Sequence, residues 1–67
     1  MMQWQSLPSG GEYLDTGGHG RLTIRPRGGG YLLRVHGFPA GTFPTIDAAR
    51  AEGLARAQVI VAIGRQA

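Results

Sequence analysis

The sequence predicts an α+β fold, a three-stranded antiparallel sheet (β-β-β) packed against one C-terminal helix. Three observations lead there. "RLTIR" (21–25) alternates strictly between polar and apolar residues, the period of a half-buried strand. "RGGG" separates it from "YLLRVH" (31–36), a second alternating run, so the glycines read as the bend of a hairpin. From Thr45 onward the composition is that of a helix, up to Gly64.

In chain order, residues 1–11 hold Trp4, Pro8 and a Ser-Gly-Gly cluster and read as an irregular arm whose tryptophan folds back onto the core. The sheet is expected over 12–44. "EYLD" (12–15) is its first strand, and "TGGHG" a turn cluster. In "RLTIR", Leu22 and Ile24 point one way and Arg21, Thr23 and Arg25 the other. Pro26 has no N–H to donate, so the ladder is expected to stop there. In the returning strand Tyr31, Leu33 and Val35 share one face, and Leu32, Arg34 and His36 the other. "GFPAGTFPT" reads as a turn with at most a brief strand at Thr42–Phe43, and Phe43 is available to plug the core.

The helix is expected over 45–64. Thr45 suits its N-cap and Asp47 the positive end of its dipole. Ile46, Ala49, Gly53, Ala57, Ile60 and Val61 fall on one face, where they would pack on Leu22, Ile24, Leu33 and Val35. A glycine inside a helix costs about 1 kcal/mol against alanine, so Gly53 is read as allowing close approach to the sheet. Asp47 with Arg50, and Glu52 with Arg56, have the spacing of helical ion pairs. The β-branched run "QVIVAI" (58–63) leaves a final strand open as an alternative.

At 67 residues there is room for one small domain, since such a chain buries only about 60% of its unfolded surface. It has no cysteine, which removes disulfides and thiolate metal sites and suits a reducing cytoplasm. The longest apolar run, Val59 to Ile63, is far short of the roughly 20 residues of a membrane span, so a soluble protein without membrane attachment is expected. The seven basic residues are all arginine, for a net charge of +3. No acidic residue occurs between Asp15 and Asp47, where Arg21, Arg25, Arg27 and Arg34 fall with His19 and His36. That central segment is a local cation.

Several chemistries are disfavoured. A phosphate-binding loop needs a lysine and a Ser/Thr after its glycines, then a helix; here a strand follows and lysine is absent. His19 and His36, even with Glu12 or Asp15, lack metal-ligand spacing. The only serines, Ser6 and Ser9, lie in the arm, and four scattered carboxylates suggest no acid/base pair. No enzyme activity, metal or cofactor is expected.

The best constellation is the face carrying Arg21, Thr23 and Arg25 beside Arg34 and His36, with Leu32 among them and Arg27 at the turn. Arginine makes bidentate contacts with phosphates and guanine edges, which points to nucleic acid, DNA before RNA. The same pattern also fits a solvated strand face. A second surface is the helix stripe Ala48, Ala51, Ala55, Val59 and Ala62. Its small residues permit close approach by a second copy, giving a homodimer, or by a protein partner, and they equally suit a plain helix.

"RLTIRPRGGGYLLRVHG" followed by "GTFPT" and the alanines opening the helix resembles the arm-type DNA-binding domains of phage and transposon integrases, an AP2-like fold of three strands and a helix. The resemblance implies a sheet whose free face enters the major groove, with Arg21, Thr23, Arg25, Arg34 and His36 facing DNA. It suggests a small phage or mobile-element accessory protein that binds nucleic acid. The alternative is a protein-binding module, for instance a phage-encoded inhibitor of a host defence complex, acting through the arginines on an acidic surface or through the alanine stripe.

Overall fold

A computed structural model describes residues 3–66 of the chain. It contains one antiparallel sheet with strands in chain order: β1 (Trp4–Ser6), β2 (Glu12–Asp15), β3 (Arg21–Arg27), β4 (Gly30–Val35) and β5 (Phe38–Phe43). One helix, α1 (Ile46–Gln66), follows. The α+β class and the C-terminal helix are as expected, but the sheet has five strands, not three.

Both additional strands are edges. Trp4–Ser6, in the segment read as an irregular arm, pairs with β2 in the register Trp4↔Leu14, Gln5↔Tyr13, Ser6↔Glu12; residues 1–2 of that arm lie outside the described residues. At the other edge the strand begins at Phe38 rather than at Thr42 and includes Pro39. An edge tolerates proline because one side of its backbone has no partner to bond. Leu33 pairs with Gly41 and Arg34 with Pro39, so Ala40 is the extra residue of a bulge.

The hairpin reading of the glycine run holds. Arg27 pairs with Gly30, and Gly28 and Gly29 form the two-residue loop with φ of 57° and 81°. Two consecutive left-handed residues make a type I′ turn, whose twist matches that of the strands it joins. Pro26, however, does not end β3, which continues to Arg27. The His36 N–H donates to the Arg21 carbonyl at 3.1 Å, which sets the phase of the ladder. Residues 21, 23, 25 and 27 then bond to β4, while the Pro26 nitrogen faces the side where β2 has already ended at the Glu12↔Ile24 pair. No ladder bond is lost.

The core lies between the sheet and α1. Leu14, Leu22, Ile24 and Leu33 are fully buried with Ala49 and Ala57, and Trp4, Tyr31, Val35, Phe43, Ile46 and Ile60 pack around them. The helix face is mostly small, so backbone and sheet come close: a Cβ on Gly53 would lie 2.7 Å from the Trp4 ring. Trp4 therefore does fold onto the core. The Thr45 hydroxyl accepts from the Ala48 N–H at 3.2 Å, capping the helix as expected. "QVIVAI" is helical, because Ala57 and Ile60 extend the same inward stripe; the strand alternative is not realised. The helix also passes through Gly64 rather than ending there.

Candidate nucleic-acid interface

Strand parity sorts β3 and β4 into two faces. Leu22 and Ile24, paired with Val35 and Leu33, lie beneath the helix. Arg21, Thr23, Arg25 and Arg27 have the opposite parity, with Thr23 paired to Arg34 and Arg25 to Leu32. The four arginines thus share the face that the helix leaves uncovered. Tyr13 and Gln5 extend that face across β2 and β1, through the pairs Tyr13↔Thr23 and Gln5↔Tyr13.

The face has internal structure. The Arg21 guanidinium lies over the Tyr13 ring, 4.8 Å from its centroid, a cation–π arrangement. The Tyr13 hydroxyl donates to Gln5 Oε1 at 3.2 Å, and Arg25 Nη1 donates to Ser9 Oγ at 3.2 Å. Leu32 is only 8% exposed although it points away from the helix. Long arginine stems cover apolar surface while their heads stay in water, and Leu32 sits in register with Arg25, two residues from Arg34. Arg34 is half-buried, and its Nε has no acceptor among the described residues.

Charge is divided between the two sides of the molecule. Among the described residues the ion pairs are Arg50 with Glu12, Arg50 with Asp47 (3.0 Å), and Arg56 with Glu52 (2.8 Å), all at the helix. Three of the four carboxylates are thereby matched to two arginines. Asp15 stands opposite Arg21 in the register but accepts from the Gly17 N–H at 2.9 Å. Arg21, Arg25, Arg27 and Arg34 have no carboxylate partner in this set.

His36 does not join them. It follows the end of β4 with φ of 54°, and its Nε2 donates to the His19 carbonyl at 2.8 Å. Its ring occupies the space where a Cβ on Gly20 would sit, so the imidazole is a strut between two turns rather than a member of the arginine face. His19 is likewise engaged, its ring against Gly64 of the helix. Among the described residues no three His, Asp or Glu side chains come together as metal ligands.

On the helix, Ala51, Ala55, Val59 and Ala62 are exposed and Ala48 is half-buried. Ala55 and Val59 line an open groove of about 410 Å³ with Val35 and Ile60, bordered by Glu52 and Arg56. Nearby in the register, Phe38, paired with Val35, is 74% exposed, while Val59 and Ile63 are 57% and 63% exposed. Sequence reasoning missed Phe38, hidden in a stretch taken for a turn, and also Tyr13. The alternation of "EYLD", with Leu14 inward, was a signal for Tyr13.

No helix among the described residues is long and apolar enough to cross a membrane. Comparison with protein-family models, curated proteins and solved structures finds no match for this chain.

Proposed function

We propose that this protein is a small non-enzymatic nucleic-acid-binding module, an accessory protein of phage or mobile-element type, that binds DNA before RNA through the uncovered sheet face. The observation that carries this reading is the division of charge. Where arginine serves only solubility, carboxylates are normally interspersed with it; here three of the four are paired with helix arginines, and four guanidinium groups share the other side with Asp15 alone. Such a face attracts a polyanion and gains free energy by releasing its counterions.

Titration with oligonucleotides at several salt concentrations tests the proposal. Four neutralised phosphates predict a slope of log K against log[salt] of about −3 to −4. Arg25→Ala and Arg34→Ala should each weaken binding and flatten the slope by about one. No binding at low salt would remove the proposal.

A second reading has its own observation. Phe38, Val59 and Ile63 are exposed apolar side chains, and Val59 lines the groove; exposed apolar patches mark association sites. A protein partner, such as a component of a host defence complex, or a second copy of the chain would cover it. Val59→Arg should then abolish association while leaving oligonucleotide binding unchanged.

A further inference from the structure

Resting on that reading, we infer that the ligand of the arginine face is single-stranded nucleic acid, laid across the open sheet rather than presented as a duplex. An isolated two-stranded ribbon fits a major groove about 12 Å wide. The arginine-bearing strands are not isolated: β1 and β2 lie on one side and β5 on the other. With neighbouring strands about 4.8 Å apart, five strand axes span about 19 Å. Thr23 and Arg34, in the row that runs from Gln5 through Tyr13 to Pro39, therefore stand in the middle of a broad surface whose borders meet the duplex backbones before its centre reaches the base edges. Only the turn beyond the Glu12↔Ile24 pair is clear of β2, and there β5 still runs alongside as far as the Tyr31↔Phe43 pair.

The centre of the face is shallow as well as wide. Leu32 is 8% exposed, and Arg34 is half-buried. Side chains covered in this way do not probe a groove, and a strand resting on the face meets instead the exposed Arg21, Arg25 and Arg27 around them. Arg21 adds a stacking plane. One side of its guanidinium is held against Tyr13 at 4.8 Å, and Arg21 itself is exposed, leaving its other side for a base. Unpaired bases stack on aromatic rings and on arginine planes in this way, without regard to sequence.

Spacing completes the case. Residues two apart on a strand are about 6.8 Å apart, close to the advance of one nucleotide in an extended chain. Arg21, Thr23, Arg25 and Arg27 thus offer a donor at each step along β3, enough for three or four nucleotides.

The test is fluorescence anisotropy with a mixed-sequence DNA strand of about 12 nucleotides and with the blunt duplex formed by the same strand, both at about 50 mM salt. The single strand should bind at least tenfold more tightly. Tyr13→Leu, outside the core cluster, should weaken single-strand binding about fivefold at an unchanged melting temperature. Duplex binding equal to or tighter than single-strand binding would overturn this inference and leave the cationic face standing. Binding of neither would overturn both. Single-strand affinity indifferent to Tyr13→Leu would contradict the stacking plane.

Discussion

Glu12 is a carboxylate on the helix side of β2, where alternation would otherwise place an apolar residue, and Arg50 accounts for it. Arg50 Nε donates to Glu12 Oε1 at 2.8 Å, and Nη2 donates to Oε2, a bidentate pair joining sheet to helix. Those hydrogen bonds hold the Glu12 carboxyl below its ordinary value of 4.5, with the guanidinium charge adding to them and burial opposing; the same pair raises Arg50. Because the folded pKa is the lower one, the stabilisation is fully present above the unfolded value and is lost as pH falls through the folded one. Melting temperature should therefore fall as acid is added below about pH 4.5, and Glu12→Gln should remove part of that fall. Melts of parent and variant across the acid range check this; superimposable acid limbs would contradict it. Gly53→Ala sets a helix-propensity gain of about 1 kcal/mol against displacement of the Trp4 ring, where overpacking costs roughly 1–3 kcal/mol. We expect a net loss of about 1 kcal/mol and a shift in the emission of Trp4, the protein's single tryptophan. Gly53→Ala with unaltered emission would mean the indole does not rest on the helix.

At the scale of elements, the β3–β4 hairpin depends on its turn. Gly29, at φ of 81°, should resist replacement: Gly29→Ala is expected to destabilise by about 1 kcal/mol, the cost of a left-handed residue bearing a Cβ. Gly28→Asn should be tolerated, since asparagine is favoured at the first position of a type I′ turn. Denaturant unfolding of the two variants distinguishes them, and equal losses would argue against the turn type. This hairpin and the helix were legible in the sequence because period-2 and helical spacing extend far enough to be counted. The edges were not. Trp4–Ser6 has three residues, too few to show a period, and Pro39 with Gly41 disguises β5 as a turn. Pro26 misled for a related reason: whether a proline breaks a ladder depends on which side its nitrogen faces and whether the neighbouring strand reaches that far, and neither is written in the local sequence. His36 continued the alternation of β4 on paper, yet the strand ends at Val35 and the ring turns to His19.

For the whole molecule, the gap in acidic residues between Asp15 and Asp47 correctly foretold which arginines would stand apart, because parity and charge are both local properties. The breadth of the surface carrying them was not legible, since it depends on the two edge strands. With only a handful of fully buried side chains among the described residues, the core is small, and covering the groove at Val59 would add to it. If a second copy does so, Val59→Arg should convert a dimer to a monomer in sedimentation equilibrium. An unchanged mass would leave self-association without support.

The central claim is that nucleic acid meets the side of the sheet opposite the helix. Backbone amide shifts, followed by two-dimensional NMR as a short DNA strand is added, test it residue by residue. The account predicts perturbations concentrated at Tyr13, Arg21, Thr23, Arg25, Leu32 and Arg34, with Ala51, Ala55, Val59 and Ala62 unmoved. Perturbations centred on the helix, or none at saturating DNA, would contradict it.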